Sequence, residues 1–391
     1  MSRLLVMYPG RLEPILQKGE LNPRYFNPGE VFDHVDILLT SDDQPDTGSL
    51  KKTVGKATLN IHNYPVTPAL LVKTLGCRKP LVKLWAKGAV ELARSLQPDL
   101  IRCYGADLNS FIASRIKRDN GIPYVVSLHT NPDEGARWNP GGFKHQLFTR
   151  LIEPLNREGL RNADMVLPVY KPAVPYLKKR GITRYRVAYN FLDAEGITAK
   201  EDYTLGKPVR ILSVGRQVPG KNPENIIRAV AELPGAHLTL VGVGSLHEGL
   251  KSLASQLGLG DRVEFLKSVE NRDLLKMMPG FDIFAAHSQY AEIPKTVIEA
   301  LLTGLPVVTN RRDGFPVEEY AGGIVHLVKD TAEGYREALA ALLGDTIARE
   351  SLGKKGREQA LKLFEPSRAE AVYAEIYREL MKFGERKEAG H

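Results

Sequence analysis

Residues 288–308 read SQYAEIPKTVIEALLTGLPVV, and the fold follows from how this stretch is parsed. A short apolar strand exits through residues 284–288, and a polar loop follows it. Pro294 then stands at a first helical position, and an apolar helix runs from it to Gly304. A second apolar strand comes directly after, at 305–308. Strand, loop, helix and strand at this spacing predict two parallel strands joined by a crossover helix. In such a unit the loop and the first helical turn lie at the C-terminal edge of the sheet. Backbone N–H groups there face a crevice that suits a phosphate or a sugar. Glu292 and Glu299 flank Pro294 on either side of the helix start.

The same grammar repeats upstream. Residues 209–214 form a strand, followed by Gly215-Arg216-Gln217-Val218-Pro219-Gly220-Lys221-Asn222-Pro223 and a helix. Arg216 can grip a phosphate through two N–H groups and Lys221 acts as a mobile point charge, although charges on a loop are more commonly solvated. Residues 237–241 are the next strand, and Gly242-Val243-Gly244 opens a helix at 246–257. A lone Gly-x-Gly is weak evidence, without the third Gly or the later acidic residue of a dinucleotide fingerprint. Strands follow at 262–266, 282–286 and 324–328, then helices at 332–343, 347–364 and 367–383, the last capped by Ser367.

The first half also alternates strands and helices, with strands expected at 4–7, 35–40, 98–104, 124–128, 165–169 and 186–189. Residues 41–48 read as an acidic loop. Gly10 follows the first strand, either as a plain turn or as a point of ligand approach. His129 stands at the end of strand 124–128, the edge where parallel sheets bind ligands; a structural His and a catalytic one are both open there. The Gly- and Pro-rich loop 138–142 is a candidate cover or acceptor contact. Repeated alternation of this kind specifies an α/β chain with doubly wound parallel sheets.

At 391 residues the chain is long for one domain, so two are expected. The boundaries fall at 1–194, a polar linker at 195–208, and 209–366, with the terminal helix 367–391 packing back on the first domain. Neither a bilayer-spanning run nor a signal peptide is expected, and Cys77 and Cys103 are too few for a disulfide scaffold. These features point to a cytoplasmic protein. The net charge of +8 is unevenly placed: residues 1–200 hold 29 Lys and Arg against 19 Asp and Glu, whereas residues 201–391 hold 25 against 27. Residues 51–94 alone carry nine basic side chains and a single acid, Glu91. A basic, amphipathic, largely helical segment at 69–96, with a break near 76–80, suggests either a solvated Lys face or attraction to an anionic surface or acceptor.

Taken in order, these elements resemble the family-4 retaining glycosyltransferases of the GT-B fold. Gly215, Arg216 and Lys221 match that family's diphosphate-binding element, and Gly242–Gly244 its strand–Gly-x-Gly–helix element, with Val243 where an Asp is usual. Asp313-Gly314-Phe315-Pro316 resembles its later glycine turn, and Asn190-Phe191-Leu192-Asp193 approximates the element that commonly closes its first domain. The family's paired glutamates lie eight positions apart. Glu299 falls on the second, the ribose ligand, whereas Ala291 falls on the first and Glu292 stands one position off register.

The resemblance implies two Rossmann-like domains facing a central cleft, and transfer of a sugar from a UDP- or GDP-sugar to a hydroxyl with retention. Arg216, Lys221, Glu292, Lys295, Thr296 and Glu299 are the expected substrate-binding residues, and His129 the catalytic one. No cofactor or metal is expected beyond the donor itself. The expected acceptor is an anionic lipid or saccharide of envelope, glycolipid or polysaccharide synthesis, with no nucleic acid involved. The inner face of the membrane is the expected docking surface. A protein that binds nucleotide sugars without transfer, an epimerase and a phosphorylase share the fold and stay open. The last two would need acid/base clusters or a cofactor lysine that the sequence does not display.

Overall fold

A computed structural model describes the chain except residues 18, 20, 67–69, 71–72, 75–77, 134–142, 191, 193–195, 313–315 and 389–391, and the side chains of 143–145, 148 and 383–388. The chain divides into two units, Met1–Phe191 with Pro366–His391, and Leu192–Glu365.

The first unit is built on six strands: β1 Arg3–Tyr8, β2 His34–Leu39, β3 Thr58–Asn63, β4 Leu100–Tyr104, β5 Tyr124–Leu128 and β6 Met165–Pro168. They lie in the order β3-β2-β1-β4-β5-β6, and every pairing is parallel. Helices cover both faces, so the central strands are apolar throughout rather than alternating. Leu4 and Val6 of β1 face one layer with Tyr373, Ile376 and Tyr377 of the helix Pro366–Glu388. Leu5 and Met7 face the other, with Ala86, Ala89 and Ala93.

The second unit repeats the plan with β7 Val209–Val214, β8 Ala236–Val241, β9 Val263–Leu266, β10 Ile283–Ala286, β11 Val307–Asn310 and β12 His326–Val328. Their order is β12-β11-β10-β7-β8-β9, again all parallel. Renumbered from its own first strand, it has the order of the first unit, so both are Rossmann-like. Each therefore has one place where the winding reverses, between β1 and β4 and between β7 and β10, and ligand crevices form at such reversals.

Some expectations need correction. Residues 186–189 do not form a strand: only Tyr185 bridges β6, although Arg186 and Ala188 donate to the carbonyls of Val166 and Pro168. Strand β3 went unread because TLNIHN is a half-exposed edge strand without an apolar run. The acidic loop 41–48 leads into a short helix, Thr47–Leu50, capped by Asp46. Ser367 lies inside a helix that already begins at Pro366. Residues 196–208 run along the second unit, where the Lys200 amide donates to the Thr303 carbonyl at 2.7 Å and the Tyr203 hydroxyl to the Gly304 carbonyl at 2.8 Å.

A buried cation marks the first unit. Arg102 of β4 is 2% exposed and donates from Nε to Ser127 Oγ at 3.1 Å. Its guanidinium lies between the rings of Tyr104 and Tyr373, 4.5 and 4.7 Å from their centroids. Two aromatic faces thus take the place that a carboxylate would fill. Tyr373 also donates its hydroxyl to the Ala188 carbonyl at 2.9 Å, which fixes the terminal helix to both the sheet and the chain beyond β6.

Candidate functional site

The loops that leave β7 and β8 are packed backbone on backbone. Gly242 has φ +132°, and a Cβ there would stand 2.0 Å from the Gly215 carbonyl oxygen. One at Gly244 would stand 2.2 Å from the Gln217 oxygen. The Gln217 amide donates to the Val243 carbonyl, and the Leu246 amide to that of Gln217, both at 3.0 Å. The Gly-x-Gly signal is therefore explained by this close approach. It sets the path of the loop that carries Arg216 and Lys221.

That loop is held on its other side by the segment leaving β10. The Gln289 amide donates to the Gly220 carbonyl at 2.8 Å, and the Asn222 amide donates to His287 Nδ1 at 3.0 Å. Because Nδ1 accepts, the ring proton sits on Nε2, which donates to Asp330 Oδ2 at 3.0 Å. Asp330 also receives Asn225 Nδ2 at 3.0 Å and the Gln289 side-chain amide. Burial pushes the Asp330 carboxyl up, but the hydrogen bonds it accepts from His287, Asn225 and Gln289 outweigh it and hold it below the usual carboxylate range.

Lys221 sits between the two contacts. Its Nζ meets Glu292 Oε1 at 2.5 Å, and only 19% and 14% of the two side chains is exposed. The Tyr290 ring centroid lies 5.8 Å from Nζ, and the ring abuts Gly220, where an added Cβ would be 2.6 Å from it. Arg312, 9% exposed, pins this segment from beneath by donating Nη1 to the carbonyls of Tyr290 and, at 2.6 Å, Glu292. Asn310 at the end of β11 fixes Ser288 in the same way: its Oδ1 accepts from the Ser288 amide and its Nδ2 donates to the Ser288 carbonyl.

The helix Lys295–Thr303 starts at this place, with Pro294 as its N-terminal cap residue. The amides of Val297 and Ile298 donate to the Pro294 carbonyl, whereas those of Lys295 and Thr296 precede the first helical hydrogen bond. Thr296 uses its hydroxyl to bond the Val214 carbonyl at 3.1 Å, tying the helix start to the end of β7. Lys295 is half-buried. Glu299 is 3% exposed, with Oε1 accepting from Asn271 Nδ2 at 3.0 Å, so the Lys295–Glu299–Thr303 face is not a solvated charge pair. Arg216 is exposed, and its side chain has no hydrogen-bond or ion-pair partner among the described residues.

Lys221 and Glu292 thus meet directly, and Arg216 and Thr296 stand by the end of β7. Glu299 lies one turn further along the helix. Sequence reasoning missed His287, Asn310, Arg312 and Asp330. All four carried one signal, each being a polar residue at or within two positions of the end of a sheet strand.

His129 belongs to the first unit and leaves β5 in a row of rings. Tyr8, Tyr104 and His129 end neighbouring strands, with Tyr8 to Tyr104 at 5.3 Å and Tyr104 stacked on His129 at 5.4 Å and 13°. The chain beyond is anchored by Asp133, which takes Arg180 at 2.8 and 3.1 Å and Lys179 at 3.3 Å. Asn190 donates to the Tyr170 hydroxyl at 3.0 Å. Phe191 and Asp193 of its element, Asp313-Gly314-Phe315, the loop 138–142 and Cys77 lie outside the described residues.

Two family models match this chain in tandem, Glycosyltransferase Family 4 over residues 34–195 and Glycosyl transferases group 1 over residues 198–359. Among curated proteins, a lipopolysaccharide core biosynthesis glycosyltransferase of Rhizobium meliloti is 28% identical over 268 residues, covering 64% of this chain and 77% of that protein. Among solved structures, a sucrose-phosphate synthase of Thermosynechococcus elongatus superposes with a TM-score of 0.74 at 17% identity, over 98% of this chain and all of its own. The Anabaena HepE protein in complex with UDP gives 0.73 at 20%, over 97% of this chain and all of its own.

Proposed function

The chain belongs to the family-4, group 1 glycosyltransferases of the GT-B fold, and from that premise we propose that it moves a sugar from a nucleotide diphosphate sugar to a hydroxyl with retention. The observation that supports this reading best is the grouping at the β7/β10 reversal: Lys221 on its clamped loop, Arg216 beside it, and the start of the helix Lys295–Thr303. Three cationic or N–H-rich elements at one sheet edge suit a diphosphate.

In this reading the bond from the anomeric carbon to the diphosphate lengthens, the sugar gains oxocarbenium character and the leaving group gains charge. Arg216, Lys221 and the amides of Lys295 and Thr296 meet that charge in place of a metal ion; Pro294 has no N–H to offer. Glu299, steadied by Asn271, takes the ribose hydroxyls, and Glu292 the donor sugar. His129, at the C-terminal edge of the first unit's sheet, is assigned the catalytic role. The acceptor hydroxyl attacks from the face the diphosphate leaves, and the leaving phosphate takes its proton.

The acceptor is assigned to the basic first unit and is an anionic lipid or saccharide, the inner membrane face serving as docking surface. Lys83 and Lys87 flank Leu84, whose 60% exposure is unusual for its type. No helix among the described residues is long and apolar enough to cross a membrane. The test is incubation with a panel of UDP- and GDP-sugars and acceptors, following nucleotide release and product stereochemistry. Release of UDP or GDP with an axial-for-axial product supports the reading. Tight nucleotide binding with no turnover on any acceptor favours a binding protein, which Ala291 at the usual Glu position leaves open. Replacing the basic residues of 51–94 should abolish binding to anionic vesicles; unchanged binding would remove the membrane from the scheme.

A further inference from the structure

Lys221 is bracketed. The residue before it is held through its carbonyl by the Gln289 amide, and the residue after it through its amide by His287 Nδ1. Both holds come from one three-residue segment, and both converge on Asp330, which receives His287 Nε2 and the Gln289 side chain. A third link runs through the same carboxylate: Asp330 Oδ1 accepts from Asn225, in the first turn of the helix Glu224–Ala231 that the loop leads into. His287 is nearly enclosed, its side chain only 5% exposed. The Asn222 amide has no other acceptor among the described residues, so losing the imidazole removes the only protein partner they give it.

From this geometry we propose that the His287–Asp330 pair positions Lys221 for the donor's diphosphate. His287 is a positioning residue; it touches the Asn222 backbone, not the phosphate. Asp330 orients the ring so that Nδ1, not Nε2, faces the loop, as a carboxylate does for a histidine that must present one nitrogen. The proposal rests on the assignment of Lys221 to the diphosphate. It adds that the Val218–Lys221 turn, closed by the Lys221 amide on the Val218 carbonyl at 2.7 Å, is fixed in place by a contact from across the β7/β10 reversal.

The test uses the full chain and two probes, UDP and GDP, with binding measured calorimetrically. In H287F the ring volume stays and the acceptor is gone. The nucleotide that wild type binds better should be bound about tenfold more weakly, the usual size of one lost positioning bond. H287N returns an acceptor oxygen near the Nδ1 position and should recover part of that loss. In a K221A background, H287F should add little, because its effect passes through Lys221. A scaffold defect would instead lower affinity equally in both backgrounds and would not be rescued by Asn. Unchanged affinity in H287F, or losses that simply add in the double variant, would overturn the inference while leaving the diphosphate site standing. Wild type that binds neither nucleotide would overturn both together.

Discussion

Lys221 and Glu292 form a largely enclosed ion pair, 2.5 Å between Nζ and Oε1, at the edge of the second sheet. A diphosphate that takes Lys221 therefore competes with a carboxylate of the same chain. Removing that charge in E292Q should tighten UDP binding about tenfold and yet slow sugar transfer, because the same residue is assigned to the donor sugar. K221A should weaken UDP binding by a comparable factor or more. Calorimetry with UDP and turnover with the matching UDP-sugar separate the two signs; an E292Q variant that binds UDP more weakly would refute the competition.

Two glycines of neighbouring sequence should respond oppositely to alanine. G242A would force a side chain into a left-handed backbone with the Gly215 carbonyl 2.0 Å away, and should cost about 2–4 kcal/mol of unfolding free energy. G249A, inside the helix His247–Gln256 with open space around its Cβ, should gain about 0.5–1 kcal/mol. Denaturant unfolding of the two variants beside wild type measures both.

Tyr373 should be among the costliest positions in the first unit. Y373A removes a buried ring, the cation–π partner of Arg102 and the bond to Ala188, and should destabilise by about 3–5 kcal/mol. Y373F keeps the ring and loses only the hydroxyl bond, for about 1 kcal/mol. Equal losses in thermal unfolding would show that the hydroxyl, not the ring over Arg102, is what matters.

The Asp330 carboxyl titrates below its ordinary range in the folded chain. A group whose folded pKa is depressed adds stability above its unfolded pKa and loses it as the pH falls through the folded value. The stability gap between wild type and D330N should thus be full above about pH 4 and should close on further acidification. Chemical denaturation from pH 7 to pH 3 follows it; a gap that stays constant across that range would contradict the hydrogen bonds that hold the carboxylate.

Residues 288–308 carried most of what was legible. Pro294 and Gly304 do bound the crossover helix, and the apolar runs on either side are β10 and β11, because these strands are buried on both faces and cannot alternate. Edge strands obey a different rule, and β3 escaped for that reason. At the site, Arg216 and Lys221 could be named because each follows a glycine on a strand-to-helix loop, and Glu299 because the register of the family's paired glutamates falls on it. What surrounds them could not. His287 reaches Asn222 across 65 positions and Asp330 across 43, and no spacing rule links residues that the sheet order brings together. The Gly-x-Gly step shows the converse: its pattern was visible, yet its cause is a carbonyl on another loop.

The first unit is interrupted. Its sheet is complete in sequence by β6, but the helix that covers Leu4 and Val6 comes only after the whole of the second unit. On a ribosome, the tail that carries Tyr373 and Tyr377 emerges roughly 10–40 s after β6. During that interval Arg102 waits with one aromatic face of its sandwich unbuilt, while the second unit is made strand by strand through β12. Synthesis therefore orders the assembly: the second unit has all its strands before the first unit receives the helix that completes one of its two core layers.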